Sequence, residues 1–374
     1  MTVDPLKILS IRIRVRSLIL FSLLIVYICF SFFLFFQWVA PSLDGRTEQH
    51  IAADSGTYIA AADALREGRE DIFLTVALSS FPNTVLCPIL QAFVLKSTFA
   101  MVLADYAMFF LAIFLLKRSF SFSTGIFVGL LLLNATTTIS LLSVNKEIVD
   151  LLAVSIFFFA RRRHRNGVLL LALMLALFNR FEVCIVMLLF LLAESKLNPW
   201  RQRRVVTIAV LIAALSVMLP LFVSESLNEQ FAGVSEAHSI AWLGTLEMHY
   251  LYAVAVFPKI GNMLFGALIV HPFKMETYYV YSDIANSSIL YSNNLATMVV
   301  FVILAWKRRL SVRLDLIYFA MLGFIIMAVT MTTVQRYIYF AYVLLCLLAA
   351  QTEAEEPVGT ISVHKRGVRS CDAS

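Results

Sequence analysis

The chain has 374 residues, of which 60% are hydrophobic and only 14% charged, with a formal net charge of +6 and a mean hydropathy of +0.85. A soluble domain carries nearer one quarter charged residues, so this balance excludes an ordinary water-soluble globule. The basic residues stand in short clusters beside apolar runs, a placement that orients membrane spans, so no nucleic-acid partner is expected.

Backbone polar groups in lipid must be hydrogen-bonded within the spanning structure, which leaves helices or closed barrels. The apolar runs are long and continuous, not alternating, and this selects helices. The sequence therefore predicts an all-α, polytopic transmembrane helical bundle in the lipid bilayer. Five cysteines (Cys29, Cys87, Cys184, Cys346 and Cys371) form no CxxC pair, and the six histidines form no HExxH. No disulfide framework or metal site is read from them.

The first apolar run, 17–40, follows Lys7, Arg12, Arg14 and Arg16. It is about twice as long as a signal-peptide core of roughly 7–15 residues, so it reads as a retained first span. Basic clusters recur at Lys117-Arg118, 161–165, 196–204 and 307–313. Placing these in the cytoplasm with the N-terminus orders the spans. Segment 17–40 goes out and 99–116 returns. Segments 122–139 and 144–160 go out and back, as do 168–179 and 181–193. Segment 205–223 goes out, 290–306 returns, 316–332 goes out and 337–350 returns. The result is about ten spans with both termini inside. They form one membrane domain, 1–350, and a polar cytoplasmic tail, 351–374, expected to be disordered.

The pair 168–179 and 181–193 has an alternative as one long span. That would bury Arg180 and Glu182 at mid-membrane, at a cost of several kcal/mol. The hairpin, with Asn179-Arg180-Phe181-Glu182 at its outer tip, is preferred. Segments 41–98 and 224–289 do not read as spans. They are expected to be long non-cytoplasmic loops carrying juxtamembrane helices on or dipping into the outer leaflet. The stretch 246–270 is of this kind, interrupted by Pro258, Lys259 and Gly261. No internal repeat supports the inverted architecture of many transporters.

Four polar clusters fall on the non-cytoplasmic side. In the first outer loop, Asp54, Tyr58, Ala61 and Leu65 follow helical spacing and share one stripe, while Asp63, Arg66 and Glu67 point elsewhere. Asp54 reads either as a general base facing a membrane-bounded cleft or as a first-turn acid favoured by the helix dipole. The second cluster is Asn145-Lys146-Glu147, with Asp150 one turn on. It reads either as a phosphate-holding turn or as a helix start with a self-compensating Lys146–Asp150 pair. The third and fourth are Arg180 with Glu182 and Gln335-Arg336-Tyr337. An arginine fork suits phosphate oxygens, and the alternative for both is an interfacial anchor. Asp105, inside the second span, reads as a helix-packing group.

The order and side of these clusters resemble the GT-C type membrane glycosyltransferases and related bacterial enzymes of surface polysaccharide assembly. In those, one span is followed by a long outer loop with an essential aspartate and a juxtamembrane helix. The similar elements here are Asp54-Ser55-Gly56-Thr57-Tyr58, the stretch from Phe81-Pro82-Asn83 to Pro88, and the turn Asn145-Lys146-Glu147. Arg180-Phe181-Glu182 is similar to an Arg-Pro-Glu-type tip, with Phe181 where that tip has proline, and Arg336-Tyr337 to a late Arg-Tyr pair. The likeness covers most of the first 200 residues and the last 40 or so; 224–289 has no counterpart.

The resemblance implies a hexosyltransferase-type enzyme in a bacterial inner (plasma) membrane. Its donor would be a polyprenyl-phosphate-linked sugar, and its acceptor a glycan or another lipid-linked molecule on the outer face. Asp54 would be the base. Tyr58, Lys146, Glu147, Arg180, Glu182, Arg336 and Tyr337 would line the substrate and phosphate site. No cofactor is required, since a phosphate leaving group needs little acid help; a divalent metal is compatible but not indicated. Rival readings are a repeat-unit polymerase of the O-antigen or capsule type and a lipid-linked sugar flippase or transporter. The last would spread ionisable groups and helix breaks through the spans. A purely structural membrane subunit would have no reason to gather acids and arginines on one side.

Overall fold

The computed structural model describes residues 15–34, 36–37, 53–79, 86–222, 246, 249–265, 283–329 and 335–352. These residues are helical, with no strand among them. The helices are α1 (Val15–Leu34), α2 (Ala53–Arg66), α3 (Glu70–Ser79), α4 (Leu86–Leu95), α5 (Thr98–Ser119), α6 (Thr124–Leu132), α7 (Ala135–Leu142) and α8 (Lys146–Arg162). They continue with α9 (Asn166–Asn179), α10 (Phe181–Glu194), α11 (Arg204–Phe222), α12 (Tyr252–Phe265), α13 (Asp283–Trp306) and α14 (Asp315–Met327). A 3-10 turn, Gln335–Ile338, leads into α15 (Tyr339–Ala350).

Composition decides which helices lie inside. Helices α14 and α15 are apolar nearly all round, and with α8, whose apolar middle lies between charged ends, they are buried nearly all round. They form the centre, where Phe158 meets Phe319 at 5.2 Å and Phe190 meets Phe319 at 5.4 Å between ring centroids. Such tilted and edge-on contacts suit the ring quadrupole. Helix α11 is the opposite case. Val205, Val217 and Leu221 are 68%, 57% and 67% exposed, an apolar surface that water would not tolerate and lipid would.

Two helices, over Phe99–Ser119 and Arg204–Leu221, are long and apolar enough to cross a membrane alone. The stretch expected as the third span is broken instead. Helices α6 and α7 meet at 84°. The break follows from Asn134, whose side chain accepts from Thr136 N–H at 2.9 Å and so starts a new helix inside an apolar run. The remaining apolar helices are shorter. At 14 residues each, α9 and α10 span about 21 Å, less than the roughly 30 Å hydrocarbon thickness.

The helix ends sort to two ends of the bundle. At one, the basic end, Arg161 of α8 bonds Asp315 of α14 at 2.9 Å and Glu194 of α10 at 3.3 Å. Arg204 of α11 bonds the same Glu194 and Asp315, each at 2.6 Å. This closed ring joins the C-termini of α8 and α10 to the N-termini of α11 and α14. The C-terminus of α15 lies there too, its carbonyls at Leu348 and Ala349 taking donors from Arg309 and Lys307 at 2.9 and 2.7 Å. Cations at helix C-termini also oppose the helix dipole favourably. Gln351 is buried and bridges to Phe122, and Thr352 N–H donates to Ser121 O at 3.3 Å. The packed chain therefore runs through Thr352, past the expected start of the tail; 353–374 lies outside the described residues.

Helices α9 and α10 form the expected helical hairpin. Arg180 alone links them in extended conformation (φ −151°, ψ 106°). The far end of α10, Glu194, returns to Arg161, beside the start of α9.

Helix α12 differs from expectation. It does not lie on the surface but packs between α11, α13 and α14. Tyr252, Val256, Lys259 and Met263 are buried, and Tyr252 donates to Ile325 O at 2.5 Å. Only the opposite face, with Val254 and Phe257, is exposed.

The approach of α14 to α15 depends on Gly323. A Cβ built there would meet Cζ and Cε2 of Phe340 at 2.8 and 2.9 Å. Phe340 is itself 1% exposed and packed against Phe319, so it has little room to yield. Gly323→Ala should therefore lower stability by about 1–3 kcal/mol, the usual cost of overpacking. A thermal melt of the purified variant checks this, and an unchanged midpoint would contradict the packing.

Candidate functional site

The end of the bundle opposite the basic end carries a buried ionic network. It begins at α8. Asn145 caps this helix, its side chain accepting from Lys146 N–H at 3.1 Å. The first turn then presents Lys146 and Glu147, 9% and 1% exposed, with Asp150 one turn on at 1%. From the α9–α10 link come Asn179, Arg180 and Glu182, all buried.

Arg180 joins the pieces. Its Nη2 donates to Glu147 Oε1 at 3.1 Å, and its Nε lies 3.3 Å from Asp150 Oδ2. Its Nη1 donates to Tyr337 O at 3.3 Å, and its guanidinium lies over the Tyr337 ring at 5.2 Å. Burial works against the charge of Arg180, but Asp150, Glu147 and Glu182 outweigh it and hold the guanidinium above its ordinary pKa. Asn179 Nδ2 donates to Asp150 Oδ1 at 2.6 Å and to Lys146 O at 2.9 Å. Arg336 also lies over the same tyrosine, 5.5 Å from the ring centroid.

The turn bearing Asp54 reaches this end by packing. Tyr58, Ala61 and Ala62 of α2 are buried in one apolar cluster with Ile89 and Ala92 of α4, Met101 of α5 and Val144. Val144 precedes the cap of α8 by one residue. Arg66 fastens α2 to α4 by donating to the carbonyls of Ala92 and Phe93 in the last turn of α4. It is thus a tie between helices. Asp54 lies in the first turn of α2, one turn ahead of Tyr58; its side chain is outside the described residues. Helix α4 also packs against α8 and α9, so it borders the network.

The structure thus brings Lys146, Glu147, Arg180, Glu182, Arg336 and Tyr337 to one end, with Tyr58 packed beside them through Val144. One reading is refined. Lys146 acts on Asp150 only weakly by charge, and the Asp150 carboxylate engages Arg180 and Asn179 from another helix. A second shifts. Arg180 was expected to meet a phosphate, but its donors go to two carboxylates and a carbonyl. Its geometry fits a positioning residue.

Three residues named in the sequence but not counted among the site residues join it. Asn179 and Asp150 tie α8 to the α9–α10 link. Lys259 of α12 is 1% exposed and donates to Ala328 O at 3.1 Å, where α14 ends and α12 packs against the 3-10 turn. Its signal was available, since a lone lysine in an apolar stretch marks function or a specific partner. Asp105 fits its packing role, accepting from Gln91 Nε2 of α4 at 2.9 Å.

No family model matches the chain, and neither a search of curated proteins nor one of solved structures returns a match. Functional inference therefore rests on the residues themselves.

Proposed function

We propose that this chain is a multi-pass membrane glycosyltransferase acting on the non-cytoplasmic face, with a polyprenyl-phosphate-linked sugar as donor. The observation that carries the reading is the gathering of α2, the start of α8, the α9–α10 link and the 3-10 turn at the end opposite the basic clusters. Basic clusters favour the cytoplasm, so the ionic network falls outside. In lipid, polar groups this costly are retained for a function.

In this reading Asp54 takes the proton from an acceptor hydroxyl while that oxygen attacks the anomeric carbon. The bond from the anomeric carbon to the phosphate oxygen breaks, and polyprenyl phosphate leaves with the electron pair. Lys146, Arg336 and the newly found Lys259 are the cations that stabilise its charge. Arg180 holds Glu147, Asp150 and Tyr337 in register. Glu182 adds negative charge beside Arg180.

Two observations favour a second reading. The 84° break between α6 and α7 and the buried Lys259 are features of proteins that move a ligand across the bilayer. A lipid-linked sugar flippase is therefore the competing function. Purified protein in vesicles with a polyprenyl-phosphate sugar and candidate acceptors separates the two. The proposed enzyme forms a new glycosidic product. Movement of the donor between leaflets without any product would replace transfer by translocation, and a ladder of repeats would identify a polymerase.

A further inference from the structure

An open cleft of about 490 Å³ lies in the loop between α10 and α11, lined among others by Lys196, Asn198, Trp200, Arg201, Gln202 and Arg203. It is far from the ionic network, at the basic end, and none of its lining residues is acidic. The loop is shaped by its own hydrogen bonds. Asn198 Nδ2 donates to Ala193 O at 2.8 Å and to Thr207 Oγ1 at 3.2 Å, while its Oδ1 accepts from Trp200 N–H at 3.0 Å. Arg204, just beyond, is locked into the ring with Glu194 and Asp315 and donates to Arg313 O at 2.7 Å. Both ends of the loop are therefore fixed to the bundle.

The cations of the cleft adjoin large apolar groups. Leu197 is 85% exposed and Trp200 42%. The exposed face of α11, beginning at Val205, runs directly away from the loop. A soluble phosphate compound has no use for that apolar continuation, whereas a lipid uses both parts. An indole beside cations at a helix end is the usual arrangement at the membrane–water interface.

We propose that this cleft binds the phosphate headgroup of an anionic phospholipid, with Lys196, Arg201 and Arg203 as its ligands and the acyl chains laid along α11. The inference rests on α11 crossing the membrane and on nothing in the glycosyltransferase reading.

The test uses full-length protein in nanodiscs of phosphatidylcholine with phosphatidylglycerol, followed by mild delipidation and native mass spectrometry. Wild type retains phosphatidylglycerol over phosphatidylcholine. The K196Q/R201Q/R203Q variant loses that preference, by roughly fivefold per cation and on the order of a hundredfold in all. N198A, which keeps every charge but frees the loop, loses part of it and carries the test if the triple variant does not fold. R163Q/R165Q, at the same end but outside the cleft, keeps it. Equal loss in R163Q/R165Q, or retention in both K196Q/R201Q/R203Q and N198A, would overturn the site. So would stabilisation of the protein in phosphatidylcholine discs by inorganic phosphate to the extent given by phosphatidylglycerol. Alkaline extraction is run in parallel; release of the protein from membranes would remove the spanning premise itself.

Discussion

Replacing Arg180 by methionine should cost about 3–5 kcal/mol of stability, the usual effect of stripping one partner from a buried ion pair. The physical reason is uncompensated charge. Glu147 and Asp150 are each about 1% exposed, and the guanidinium touches both. Without it two carboxylates face each other in a site that water does not reach. The variant should accumulate poorly and melt earlier in detergent. Arg180→Lys should not restore it, because a single ammonium cannot reach Glu147, Asp150 and the Tyr337 carbonyl together. Adding Glu147→Gln and Asp150→Asn to Arg180→Met should recover much of the loss, since neutral partners no longer need the cation. An Arg180→Met protein with an unchanged melting midpoint would remove the network from any account of this fold. Recovery of the melt without recovery of transfer would place Glu147 or Asp150 in the chemistry as well.

Asp54→Asn should have the largest effect on activity. General-base action is worth about 10²–10⁴-fold, and asparagine retains the shape while losing the ability to take a proton. The protein should still insert and melt normally, because an asparagine in a first turn is well tolerated and the packing of α2 depends on Tyr58, Ala61 and Ala62. Transfer from a polyprenyl-phosphate sugar, followed by product separation, checks it. Wild-type rates in this variant would leave Asp54 as a helix-start residue and move the search for a base to Glu147.

Helical class and the grouping of helix ends were legible in the sequence; pairing was not. Basic clusters and apolar runs follow local rules, so the arrangement of helix ends could be read without tertiary knowledge. The hairpin around Arg180 is the clearest case, since the cost of burying two charges at mid-membrane argued against one continuous helix. The partner of Asp150 was beyond reach for the opposite reason. Lys146 is four residues away on the same helix and is the natural local choice, yet Arg180 and Asn179 arrive from a different helix and compete better. The break at Asn134 was readable in principle: an asparagine followed by Thr136, Thr137 and Thr138 inside an apolar run is a helix-start signal. It was outweighed by the length of the surrounding apolar run. Lys259 was taken as an interruption of a surface helix, because a lysine's burial depends on the carbonyl it finds, here Ala328 O.

The most direct measurement is the side of the membrane on which each end of the bundle lies. With Cys29, Cys87, Cys184, Cys346 and Cys371 replaced by serine or alanine, single cysteines are placed at exposed Arg69, in the α2–α3 turn, and at exposed Arg163 and Arg201, at the basic end. An impermeant maleimide added to intact cells should label position 69 at once, and positions 163 and 201 only after lysis. Labelling of 163 and 201 in intact cells with 69 protected would put the ionic network in the cytoplasm and contradict an outward-facing enzyme.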